Sequence, residues 1–137
     1  MTEYEKLTEC VKIISKTTDF IPKIGLILGS GLGGFAGEIE VKSYINYSDI
    51  PSFPVSTVSG HAGRFVFGYV GNVPVVAMQG RVHCYEGYPV SDVVMPIRIM
   101  GLLGAKILFL TNAAGGVNPK FAAGDFMLIR DQISFFV

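Results

Sequence analysis

This chain of 137 residues has no tryptophan, two histidines, two cysteines and no net charge. Each shortage removes a class of protein. Cys10 and Cys84 stand far apart in the sequence, so they form neither a disulfide framework nor a clustered metal site, and both are expected to be packed thiols. Eleven basic residues offset eleven acidic ones. No bulk field then draws the chain to nucleic acid or to an anionic membrane, and any anion must be held locally. The one long apolar region, Met100 to Leu110, is interrupted by Lys106 and falls well short of the ~20 residues of a membrane span. The first residues, Met1-Thr2-Glu3-Tyr4-Glu5-Lys6, are acidic and polar, unlike a signal peptide, so the expected compartment is the cytoplasm.

What the chain does have is apolar surface. Half the residues are hydrophobic and 16% are charged, which is too apolar for disorder and greasy for a soluble monomer. The excess is expected to face other subunits or a further part of the fold. The last seven residues, Asp131-Gln132-Ile133-Ser134-Phe135-Phe136-Val137, are apolar where a domain's tail is normally small, polar and loose. The expectation is a chain that stops inside a strand, leaving an unpaired edge from Ile133 to Val137.

Periodicity places the elements. Leu7, Cys10 or Val11, and Ile14 recur at helical spacing, predicting a helix over 2–18 that Ile21-Pro22-Lys23 ends. Ile24-Gly25-Leu26-Ile27-Leu28 reads as a strand buried on both faces, and Val41 to Tyr47 as a more polar one. Pro51 and Pro54 enforce an irregular stretch up to His61. Phe65 to Val70 and Val73 to Met78 flank Gly71-Asn72 as a hairpin. Ser91 is expected to cap a helix to about Leu103, stopped by Gly104, with Pro96 kinking it or shortening its first part. Lys106 to Leu110 reads as another buried strand, and Phe126 to Val137 as the start of a further one. The predicted fold is one α/β unit over 1–137, a mixed β-sheet flanked by helices.

Four glycine- or arginine-bearing segments follow the predicted strands or the proline-rich stretch. Gly29-Ser30-Gly31-Leu32-Gly33-Gly34 presents backbone N–H groups and a hydroxyl to an anion, or is a tight turn that needs glycine. It fits the dinucleotide-binding fingerprint, with Asp49 twenty residues on. Only Phe35 to Glu40 separate the glycines from the next strand, however, and a parallel crossover needs a dozen or more residues. The Lys-Ser/Thr ending of a nucleotide-hydrolase phosphate loop is absent.

His61 sits in Ser59-Gly60-His61-Ala62-Gly63-Arg64, a loop after two prolines. His83 lies two residues beyond Arg81, whose planar donors suit phosphate oxygens or an ordinary salt bridge. Tyr85 can bond a sugar hydroxyl or pack its ring, and Glu86 can orient Arg81 or His83 or be a solvated charge. The fourth segment, Thr111-Asn112-Ala113-Ala114-Gly115-Gly116, is small enough for a ligand to approach its backbone. In an open α/β sheet, the carboxyl ends of neighbouring strands form one crevice.

In order and spacing, these four segments closely resemble the trimeric class of purine nucleoside phosphorylases across nearly the whole chain. Gln79-Gly80-Arg81-Val82-His83-Cys84-Tyr85-Glu86-Gly87-Tyr88 is the most specific of them. The resemblance implies a phosphorylase-type fold, incomplete at its C-terminus, that converts a purine ribonucleoside and orthophosphate to free base and ribose 1-phosphate. Orthophosphate is a co-substrate, and no cofactor or metal is implied. By matching positions, phosphate would be held by Ser30, His61, Arg81 and the backbone of Ala113, with His61, His83 and Glu86 as catalytic groups. The nucleoside would meet His83 at its 5'-hydroxyl, Tyr85 at the ribose face, and Asn112 and Ala113. The family's base-reading glutamate and asparagine would lie beyond residue 137, so the chain alone is expected to turn over little. A homotrimer is implied, and the apolar excess with the final strand leads to the expectation of a homo-oligomer, or of a poorly soluble species if a second half is absent. Two rivals stand beside this reading: a catalytically inactive phosphate-binding or interaction module of the same descent, and a dinucleotide-binding oxidoreductase domain.

Overall fold

The N-terminal helical pattern forms α1 (Glu3–Thr17), opened by a capping box in which the Thr2 hydroxyl accepts the Glu5 N–H and the Glu5 carboxylate accepts the Thr2 N–H. A computed structural model describes residues 2–56 and 62–134. Among the described residues five strands follow: β1 (Ile24–Leu28), β2 (Glu40–Asn46), β3 (Arg64–Val70), β4 (Val73–Gln79) and β5 (Ile107–Leu110). They make one sheet in the order β2-β3-β4-β1-β5. The β2, β3 and β4 ladders are antiparallel, whereas β1 runs parallel to both β4 and β5. The sheet is therefore mixed, as the hairpin at Gly71-Asn72 requires.

The second helix, α2 (Val90–Leu102), precedes β5 and departs from the sequence reading at two points. Its cap is Pro89, whose carbonyl accepts the first helical N–H groups, those of Asp92 and Val93, so Ser91 already lies in the first turn. The helix also runs unbroken across Pro96. The ring removes one ladder donor, but Pro96 is buried beside Met95, Ile99 and Met100, and packing of this kind supplies most helix stability. Gly104 stops the helix at φ +119°, a conformation that favours glycine.

Both helices lie on one face of the sheet. Leu7, Cys10 and Ile14 of α1 and Met95, Ile99 and Met100 of α2 join Phe65, Phe67, Val76 and Met78 in the main core. Lys6 and Asp92 tie the two helices together with a 2.7 Å salt bridge. Burial pushes the Cys10 thiol up from its ordinary pKa, keeping it a protonated core group.

The opposite face is thinly covered. A 3-10 segment, Gly33–Glu38, lays Ala36 against Leu28, Val66, Val75 and Ala77. Beside it an apolar hollow of about 440 Å³ opens between Leu26, Leu28, Phe35 and Phe109. This 3-10 segment leads directly into β2, which pairs antiparallel to β3. The glycine-rich turn therefore opens no parallel crossover helix, and the dinucleotide-binding geometry is absent here.

Two predicted strands need correction. β5 forms, but it pairs only with β1, and its residues are exposed, Phe109 at 60% and Leu110 at 61%. The apolar run that predicted burial on both faces lacks a neighbouring strand on one side. From Phe126 to Ser134 there is no strand, and those residues are exposed. A strand exists only with a partner to accept its N–H groups, and none of the described residues supplies one. The expected edge at Ile133 to Val137 is therefore not a strand as far as Ser134, and residues 135–137 lie outside the described residues. Among the described strands, β5 is the edge on the β1 side of the sheet and β2 is the edge on the other.

Candidate active site

Because β4, β1 and β5 are adjacent and parallel, their C-terminal ends share one edge of the sheet. Ser30 follows β1. Arg81, His83, Tyr85 and Glu86 follow β4. Asn112 and Ala113 follow β5. β3 runs the other way, so its start reaches the same edge: the Gly63 N–H donates to the Gln79 carbonyl at 2.9 Å, and Arg64 pairs with Gln79. His61 lies outside the described residues. Every other sequence-predicted site residue is at this edge.

The loop after β4 is fixed at both ends. Tyr47 is buried, and its hydroxyl donates to the Gly80 carbonyl at 2.8 Å, immediately before Arg81. Burial pushes the Tyr47 phenol far above its ordinary pKa, so it remains a donor at every working pH. A 3-10 turn, Cys84–Glu86, then brings Glu86 back under His83. The Glu86 Oε1 atom accepts the His83 backbone N–H at 2.8 Å and lies 3.0 Å from the His83 Nδ1 atom, while Oε2 accepts the Ser56 hydroxyl at 3.0 Å. The carboxylate is 4% exposed. A buried carboxylate with several donors is a fixed orienting group and not a solvated charge.

The Arg81 Nε–H donates to the His83 Nε2 atom at 3.3 Å. That contact makes Nε2 the acceptor and assigns the ring proton to Nδ1, where it is donated to Glu86. Ser56, Glu86, His83 and Arg81 thus form one chain of hydrogen bonds whose cationic end lies at the strand edge. The guanidinium also reaches the Thr111 carbonyl at 3.4 Å. Tyr85 is 76% exposed and stacks on His83, with ring centroids 4.7 Å apart and planes 12° from parallel. Its outer ring face offers a flat apolar platform of the kind a sugar face packs on.

The other cation near this edge, Arg64, is occupied. Its Nε–H donates to Gln79 Oε1 at 2.8 Å and its guanidinium lies over the Tyr44 ring. Gln79 Nε2 reaches the Gly33 carbonyl at 3.4 Å, holding the glycine-rich loop from the β4 side. Ser56 and Tyr47 carried no motif in the sequence, and Gln79 stood in one without a role of its own. Each is found only through the partner that folding gives it. Cys10 is packed in the core as expected, but Cys84 is exposed within the same loop and is not a packed thiol. Among the described residues, no three His, Cys, Asp or Glu side chains gather as a metal site, and no helix is long and apolar enough to cross a membrane.

The strand ends of this mixed sheet thus gather an arginine–histidine–glutamate chain, a glycine-rich loop and a small-residue loop, the features of an α/β phosphorylase-type fold. The chain belongs to the phosphorylase superfamily, whose match covers residues 23–137. It is 51% identical over 131 residues to the purine nucleoside phosphorylase of Anopheles gambiae and 53% identical to purine nucleoside phosphorylase 1 of Bacillus subtilis strain 168. Each alignment covers 96% of this chain, and the chain spans 37% and 48% of those relatives' length, respectively. A purine nucleoside phosphorylase from Schistosoma mansoni in complex with acetate superposes with a TM-score of 0.83 at 46% identity, covering 91% of this chain and 46% of that one. Isoform 2 from the same organism, in complex with cytosine and ribose-1-phosphate, gives a TM-score of 0.81 at 48% identity, covering 89% and 43%.

Proposed function

We propose that the chain acts in purine nucleoside phosphorolysis, a pentosyl transfer of purine salvage in which a purine ribonucleoside and orthophosphate yield free base and ribose 1-phosphate. The observation that carries this reading is the convergence of the β1, β4 and β5 loops, with Arg81 bonded to His83 and His83 to buried Glu86. The similarity to purine nucleoside phosphorylases supports it.

In this reading Ser30, His61, Arg81 and the Ala113 backbone hold phosphate, while His83, Tyr85, Asn112 and Ala113 meet the nucleoside. The C–N glycosidic bond breaks, its electron pair leaves with the base, and a phosphate oxygen bonds the anomeric carbon. The base takes a proton from solvent. Between these events the sugar is oxocarbenium-like, and a positioned anion on one face stabilises it. Glu86 acts by orienting His83 and through it Arg81. The reaction needs no cofactor besides phosphate. Incubation with inosine tests this: hypoxanthine release that depends on phosphate and yields ribose 1-phosphate supports it, and release without phosphate, or as free ribose, rejects it.

Arg81→Ala is expected to raise the phosphate Kd by about 10- to 100-fold, the loss of one charge-assisted contact of ~1.5–3 kcal/mol. Nucleoside affinity is expected to change much less, because the guanidinium serves the anion. A phosphate titration followed by 31P NMR reads this directly, and an unchanged Kd removes Arg81 from the site.

The same reading makes the protein a cytoplasmic homotrimer. Its apolar excess and the exposed β5 are the surfaces available for association. Light scattering at micromolar concentration is expected to give three times the 14.8 kDa chain mass, and a monodisperse monomer rejects the trimer.

A further inference from the structure

We infer that Thr111 is a positioning residue for the phosphate site, locking the glycine-rich loop, the β5 loop and Arg81 into one geometry; the inference rests on reading these strand ends as that site. The Thr111 hydroxyl donates to the Ile27 carbonyl at 2.8 Å and accepts the Gly29 N–H at 2.8 Å. The Thr111 backbone N–H donates to the same Ile27 carbonyl at 3.1 Å, and the Thr111 carbonyl accepts from Arg81 Nη1 at 3.4 Å. One residue thus meets all three loops.

The direction of each bond follows from chemistry. A carbonyl only accepts, so the hydroxyl proton is committed to Ile27 and its lone pairs are turned to Gly29. Gly29 sits one residue before Ser30, and Thr111 two residues before Ala113, so the clamp spaces the hydroxyl of one loop against the backbone of the other. The approach is close enough to require glycine: a Cβ on Gly29 would lie 2.4 Å from the Thr111 carbonyl oxygen and 2.9 Å from the Asn112 Cα. Threonine's branched side chain is stiff at χ1, which suits a clamp at a strand end. Valine keeps that shape and loses both hydroxyl bonds, leaving the Gly29 N–H without its acceptor.

The test compares Thr111→Val and Thr111→Ser with the parent chain by 31P titration of inorganic phosphate and by inosine affinity. The valine variant is expected to bind phosphate on the order of tenfold more weakly. The serine variant should stay within about twofold of the parent, and inosine affinity should hardly move in either. Valine binding phosphate like the parent, serine failing with valine, or both ligands weakening together overturns the inference. A parent that binds no phosphate overturns the site reading itself, which separates the two failures. Amide exchange of the parent needs no variant: the Gly29 N–H is expected to be protected although it lies beyond the end of β1, and fast exchange there also overturns the clamp.

Discussion

Inosine cleavage by the 137-residue chain is expected to depend on phosphate and to run ~10²–10³ slower than cleavage by its full-length relatives. In the proposed reading, the groups brought together at the strand ends serve the phosphate and sugar side of the reaction. In that reading the Arg81 guanidinium, steadied by His83, and the glycine-rich loop present donors to an anion, and Tyr85 offers its ring to a sugar. Past β5 the described chain is open. No described strand pairs with its outer edge, and residues 112–134 are exposed. In the same proposed reading, negative charge developing on a departing purine meets no fixed donor from those exposed residues. Loss of one preorganised donor of that kind accounts for the stated factor. Single-turnover assays of the chain beside the Bacillus subtilis relative, at saturating phosphate, measure it. Equal rates would show that these residues stabilise the leaving base unaided. Phosphate binding without any turnover would favour the binding-module reading instead.

Phe65→Ala is expected to cost about 3–5 kcal/mol of stability, enough to unfold a marginal domain. Phe65 is fully buried at the centre of an aromatic group, with its ring centroid 5.2 Å from Tyr47 and 5.4 Å from Phe53. Alanine removes the ring and leaves a cavity that β3, locked between β2 and β4, can close only in part. The loss also reaches the site. Tyr47 holds Gly80, and the segment after Phe53 carries Ser56 to Glu86, so both supports of the Arg81 loop rest on this ring. Urea denaturation at fixed protein concentration should show a lower midpoint with an unchanged slope, and Phe65→Leu should lose much less. A shift under 1 kcal/mol for alanine would mean that the aromatic group is not the keystone of this core.

The sequence by itself determined the local elements and the chemistry of the motifs. The 3.6-residue spacing of Leu7, Cys10 or Val11, and Ile14 makes α1 wherever the chain folds, because one face must leave water. The hairpin around Gly71-Asn72 and the run Ile24–Leu28 are equally local. Arg81, His83, Tyr85 and Glu86 were legible because they stand within six residues of one another. Burial and pairing were not, since both belong to neighbours far along the chain. Ile107–Leu110 is as apolar as β1, yet β1 is covered by β4 and β5 on its two sides while β5 has a strand on one side only. Phe126 to Ser134 has strand-like composition and no ladder to join. Pro96 breaks helices in isolation but is held by the core around it. The tertiary structure alone decided that Ser56, 30 residues away in sequence, bonds to Glu86, and that Thr111, 82 residues away, receives the Gly29 N–H. A hydroxyl's partner is a matter of distance in space, and only the packed sheet sets that distance.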